Sequence, residues 1–171
     1  MLAIQEQQNT TRKHLLSLLD GISDTQLNWK PNEHTWSIAQ VVQHIASVQG
    51  GAAKIIQLGL AQEPTFVPRD IPLDEMILDR SKKFNAPERL HPSAEPKTLE
   101  QLQEILHNSQ EQFIGALGSI EDESLLDKTA PPMPHPAFGH LSTNQWIMAA
   151  PLHEQRHIKQ IEEIKEQLQL S

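Results

Sequence analysis

The chain contains no cysteine and no tyrosine. Without thiols it can form no disulfide, no thiolate metal site and no cysteine nucleophile, so the metal donors left to it are His, Asp and Glu. It also lacks a long apolar run. Nothing approaches the roughly 18 residues needed to span a bilayer, and the polar segment from Met1 to Lys13 lacks the basic-then-apolar order of a secretory signal. These absences predict a soluble, cytoplasmic protein with no membrane partner. Positive charge is scarce, with 14 Lys and Arg against 22 Asp and Glu and a formal net charge of -8. That balance argues against nucleic-acid binding, which draws its affinity from basic side chains displacing phosphate counterions. No segment shows the alternating β-branched pattern of a half-buried strand.

What is present is helical periodicity. A chain of 171 residues can close one hydrophobic core, and residues 1–171 read as a single domain. The first periodic stretch runs from about Leu2 to Leu19, with Ile4, Thr11, Leu15, Leu18 and Leu19 inward and Gly21 as its stop. A loop with Trp29 and Pro31 follows. The second opens at the capping box Ser37-Ile38-Ala39-Gln40, ends near Leu60, and turns Ile38, Val41, Val42, Ile45, Val48, Ala52 and Ile55 inward. Six prolines between residues 63 and 97 make that stretch a crossover, with a short helix expected from Leu73 to Lys83. The third helix starts at Thr98-Leu99-Glu100-Gln101 and buries Leu99, Leu102, Leu106, Phe113 and Leu117 before Gly118. After a second Pro-rich stretch, the last helix starts at Ser142-Thr143-Asn144-Gln145. The fold class is all-α, a four-helix bundle.

The functional signal lies in the last helix. Trp146, Ala150, His153, His157, Ile161, Ile164 and Leu168 follow one another at steps of 4, 3, 4, 4, 3 and 4, one buried face that places two imidazoles where Leu or Ile would be usual. Residues i and i+4 lie one above the other, so both rings can reach a common point. His44, between Val41 and Val48, occupies the apolar sector of the second helix and supplies a third. A lone core histidine is more often satisfied by a hydrogen bond than by a metal, but burying three without a shared partner would be costly. Three imidazoles leave coordination positions open, as catalysis requires, and suit one divalent metal ion, Zn, Ni, Fe or Co.

His153-Glu154-Gln155-Arg156-His157 also matches the His-Glu-x-x-His pattern of zinc proteases. The charged Arg156 and the missing His-x-x-Gly-x-x-His continuation speak against that assignment, leaving Glu154 as a candidate catalytic base beside the metal. His14, His34, His91 and His107 fall in solvated contexts, whereas His135 and His140 could line a pocket rim. Trp36 and Trp146 read as packing at the bundle end. Gly50-Gly51 within a helix costs about 1 kcal/mol per glycine relative to Ala and calls for compensation, by close helix approach or by room for a substrate.

The segment from Trp36 to Ile45, Trp36-Ser37-Ile38-Ala39-Gln40-Val41-Val42-Gln43-His44-Ile45, with His153-x-x-x-His157-x-x-Gln160-Ile161, resembles the DinB-like superfamily and its YfiT-type members. His135-Pro136-x-Phe138-Gly139 and Gln145-Trp146 resemble the family's approach to its final helix, so the likeness spans nearly the whole chain. The resemblance implies up-down-down-up connectivity and a divalent metal at His44, His153 and His157. It also implies an enzyme acting on a small-molecule substrate: a metal-dependent hydrolase, or a thiol S-transferase using a low-molecular-weight thiol such as bacillithiol. A homodimer is a further expectation. The metal triad is common to these activities and does not choose among them, and a non-catalytic metal-binding or sensor domain stays open beside them.

Overall fold

The structure is a computed structural model and describes residues 1–84 and 86–170. Its helices are α1 (Leu2–Leu19), α2 (Asp24–Asn28), α3 (Ile38–Leu60), α4 (Leu73–Leu78), α5 (Leu99–Gly118) and α6 (Thr143–Leu170). Single 3-10 turns occur at Glu88–Leu90 and Glu123–Leu125, and no strand is present among the described residues. Three of the long helices, α3, α5 and α6, begin where the capping boxes predict. Ser37 accepts from the Gln40 N–H while the Gln40 side chain accepts from the Ser37 N–H, and Thr98 with Gln101 does the same. At the start of α6 the Ser142 N–H donates to Gln145 Oε1 at 3.0 Å, and the Gln145 N–H returns to Ser142 Oγ at 3.1 Å. Each box satisfies N–H groups that a helix end otherwise leaves unpaired.

Two elements differ from the sequence expectation. The segment after α1 holds the short helix α2, opened by a further box of Ser23 and Gln26. Conversely, α4 stops at Leu78 rather than Lys83, because the Arg156 guanidinium takes up the carbonyls of Ile77 and Asp79, both at 2.7 Å. Captured by a side chain, those carbonyls do not need a continued helix.

Cross-helix contacts fix the directions. Along α3 and α5, Gln49 meets Ser109 and Gly50 approaches Gln112, so these helices run parallel. Along α1 and α6, Gln8 and Arg12 meet Glu154, Thr11 meets Gln155 and Lys165 reaches the Leu18 carbonyl, so these also run parallel. Between the pairs the sense reverses: Gly59 at the end of α3 packs on Thr143 at the start of α6, and His44 near the start of α3 meets His153. The topology is up-down-down-up. A parallel α3–α5 pair requires the chain to travel back along the whole bundle, which is why the connection from 61 to 98 is long.

The core is divided. One apolar layer holds Leu15, Leu19, Leu27, Val41, Val42, Ile45, Leu102, Leu106, Ile158 and Ile161. A second, toward the other end, holds Ala52, Ile56, Phe113, Leu117, Ile147 and Ala150. Between them lies a polar layer contributed by all four long helices. The Arg12 Nε donates to Glu154 Oε1 at 2.8 Å and its Nη2 donates to Glu154 Oε2 at 3.0 Å and to Gln49 Oε1 at 2.8 Å, while Nη1 reaches the Leu106 carbonyl. Gln8 donates to Glu154 Oε2 at 2.7 Å and Ser109 to Gln49 Oε1 at 2.8 Å. The inward face of α1 therefore includes Gln8 and Arg12, whereas Ile4 and Leu18 are only half-buried. A third cluster, Leu73, Ile77, Phe138, Leu141, Ala149 and Leu152, seats the crossover on α6. Pro151 lies inside α6, where it withdraws one backbone N–H from the helix ladder two residues before His153.

Candidate metal centre

The three imidazoles selected by periodicity converge. His153 Nε2 lies 3.2 Å from His44 Nε2 and 3.1 Å from His157 Nε2, and one nitrogen from each ring falls within 4.8 Å of the others. The antiparallel packing of α3 on α6 makes this possible, since it brings the first turns of one helix beside the middle of the other.

Two of the rings have their tautomer set. The Nδ1–H of His44 donates to the Leu90 carbonyl at 3.0 Å, and the Nδ1–H of His157 donates to Gln160 Oε1 at 2.8 Å. In a neutral ring this leaves Nε2 as a lone pair on both. His153 Nε2, between them, carries at most one proton and can direct it at only one neighbour, so at least one contact brings two lone pairs together. A shared cation removes that conflict. Donors bonded to one ion at about 2.0–2.1 Å, with angles between octahedral and tetrahedral, lie roughly 2.8–3.4 Å apart; the two separations made by His153 Nε2 fall inside that span, and all three ligand atoms lie within 4.8 Å of one another. Outer hydrogen bonds of this kind are what orient metal-ligating histidines. The residues therefore fit a divalent ion.

The electrostatics agree with neutral ligands. Burial pushes His44 down from its ordinary value, with the nearby His91 adding to the effect and the Leu90 carbonyl opposing it. Burial likewise holds His153 well below the usual histidine range, reinforced by His157 and His44. His157 is pushed down to about 3, chiefly by burial and then by His44. His44 is buried, while His153 and His157 keep some exposure, which leaves an approach to the triad from their side.

Glu154 stands elsewhere. Although it adjoins His153 in sequence, its side chain turns into the polar layer, is almost completely buried, and has both oxygens engaged by Arg12 and Gln8. A carboxylate held in that way has no free lone pair directed at a reacting group, and the candidate base role is replaced by a structural one. Arg156, the residue that disfavoured a zinc-protease reading, anchors the crossover: it donates to the carbonyls of Ile77, Asp79 and Lys82 and stands 5.6 Å over the Phe84 ring.

Of the remaining histidines, His14, His34, His91, His107 and His140 are exposed and His135 is half-buried. Trp36 and Trp146 pack on the core clusters and also meet histidines, Trp36 the triad residue His44 at 5.0 Å and Trp146 the outlying His135 at 4.7 Å between ring centroids. The sequence marks Arg156 and Gln160 without showing their roles, and it gives no sign of Leu90. Gln160 stands at the i+3 position from His157.

The fold and site together define a four-helix bundle of up-down-down-up connectivity with a histidine triad able to hold a metal ion between its second and last long helices. Residues 7–161 match the DinB superfamily, and the chain belongs to it. It is 32% identical over 161 residues to the uncharacterized protein YuaE of Bacillus subtilis (strain 168), covering 94% of this chain and 96% of that one. Among solved structures it resembles YfiT from Bacillus subtilis, described as a probable metal-dependent hydrolase with an unusual four-helix bundle topology. The TM-score is 0.65 at 17% identity, covering 97% of this chain and 86% of that one. It also resembles TT2238, a four-helix bundle protein, with a TM-score of 0.60 at 20% identity over 94% of this chain and 97% of that one. At these identities the two structures speak for the fold alone.

Proposed function

We propose that this protein is a divalent-metal-dependent enzyme acting on a small molecule, as a hydrolase or a thiol S-transferase, with His44, His153 and His157 as the metal ligands. The observation that carries the reading is the convergence of three Nε2 atoms, at 3.1 and 3.2 Å, whose lone pairs have no protein donor able to satisfy all of them. The description of the structurally similar YfiT as a probable metal-dependent hydrolase supports it.

When bound, a divalent ion supplies Lewis acidity and an open position for a water, a substrate oxygen or a thiol. The chain's own residues do the rest. The Leu90 carbonyl and Gln160 hold the His44 and His157 rings in their ligating orientation. Trp36 covers one side of His44, and Arg156 fixes the crossover on the face of α6 that carries the triad. Neutral imidazoles bind metal without first shedding protons at pH 7.

The test is metal analysis of purified protein, followed by turnover screening on ester, amide and thiol-conjugation panels with and without low-molecular-weight thiols. The expected result is one equivalent of metal, with His153→Ala losing both metal and turnover while staying helical. Stoichiometric metal in that variant overturns the ligand assignment. A non-catalytic metal-binding role is favoured by one observation, the sequestration of Glu154, and metal binding without turnover on any panel would select it.

A further inference from the structure

His135 lies outside the triad, and it is built as a fixed donor. Its Nδ1 accepts the Ala137 N–H at 3.1 Å, so the neutral ring carries its proton on Nε2. Its backbone exchanges two hydrogen bonds with Gly139, at 2.7 and 2.9 Å, closing a five-residue loop whose last residue has φ +73°, a conformation suited to glycine. The ring stacks on Phe138, with centroids 4.6 Å apart and planes 17° apart, and rests against Trp146. Loop closure, ring packing and tautomer are thus all set by the protein.

The position matters as much as the fixation. Trp146 shares the α6 face of Ala150, His153 and His157, so His135 packs on the same face about two helical turns, roughly 10 Å along the axis, before His153. Helical side chains lean toward the N-terminus, which carries the His153 ring toward this loop. Among the described residues none accepts a hydrogen bond from His135 Nε2, and the residue is partly exposed. Resting on the metal reading above, we propose that His135 is a positioning residue that donates its Nε2–H to a carboxylate or carbonyl oxygen of a small ligand docked at the triad.

The experiment loads the whole protein with Co²⁺ and titrates acetate as the probe, following the visible cobalt bands. Wild type and variants are expected to hold one equivalent of Co²⁺. His135→Phe should weaken acetate binding roughly tenfold or more, the size of one hydrogen bond to a charged acceptor. His135→Gln, whose amide nitrogen reaches the place of Nε2, should restore most of the affinity, and His135→Asn, which is shorter, should not. The Gln and Asn pair keeps the comparison intact if the Phe variant folds poorly. Equal acetate affinity across the series, or no acetate response in the wild type, overturns the His135 role while leaving the metal reading in place. Failure of the wild type to take up Co²⁺ overturns both.

Discussion

Arg12 and Glu154 form a two-point ion pair across the α1–α6 seam, at 2.8 and 3.0 Å, with side-chain exposures of only 3% and 2%. The pair sits midway between two apolar layers, and Gln8, Gln49 and Ser109 complete it. Taking two charges out of water is costly, so such a pair is weak evidence of net stability, but removing one partner strands the other.

Glu154→Ala should therefore destabilise the protein by about 3–5 kcal/mol, measured by denaturant unfolding. Because the Glu154 side chain bonds to Gln8 and Arg12 rather than to the triad, the folded fraction of Glu154→Gln should still bind one metal. Loss of metal from well-folded Glu154→Gln would refute the separation of the polar layer from the metal centre.

Added Zn²⁺ or Ni²⁺ should raise the melting temperature of metal-free protein. Free metal at a hundredfold excess over its Kd stabilises the native state by about 2.7 kcal/mol. His44→Ala should abolish the shift, and an identical shift in that variant would point to surface binding.

Metal-free protein should lose stability on acidification. His157 titrates at about 3 and His135 at about 4 in the folded state, against about 6.5 unfolded. Between those values the unfolded chain binds more protons, so stability rises with pH there. The contribution is complete above 6.5 and is lost as pH falls toward 3. Unfolding free energies measured from pH 7 to pH 4 should fall less steeply in His157→Phe than in wild type, and parallel slopes would contradict the assignment.

The glycines of α3 should behave oppositely. A Cβ at Gly51 meets nothing within 4 Å, so Gly51→Ala should add up to about 1 kcal/mol through helix propensity. A Cβ at Gly59 would run into the Thr143 side chain, so Gly59→Ala should destabilise by forcing α3 away from α6. Thermal unfolding of the two variants checks the pair. Gly50 shows close helix approach, to Gln112 of α5, rather than space for a ligand.

Much of the protein is written locally in its sequence. The starts of the three capped helices were legible because a capping box is formed by residues three apart, and the triad because a helical period sends His153 and His157 to one side whatever the rest of the chain does. The box of Ser23 and Gln26 carries the same signal as the others, but it opens a helix of five residues, too short to show a helical period.

The Glu154 role was not legible, because its partners Gln8 and Arg12 lie more than 140 residues away and read as the polar side of α1. For the same reason the early end of α4 could not be read from its own residues: it depends on Arg156, brought alongside by packing. Local pattern thus placed the triad histidines and most of the apolar stripes inward and marked where the three capped helices begin, since both depend on neighbours within a turn or two, but it missed the inward turn of Gln8 and Arg12. Which inward groups meet was decided only by the tertiary structure, because the parallel α1–α6 and antiparallel α3–α6 pairings set the partners of Glu154 and of the histidines, and no local pattern encodes a contact across helices.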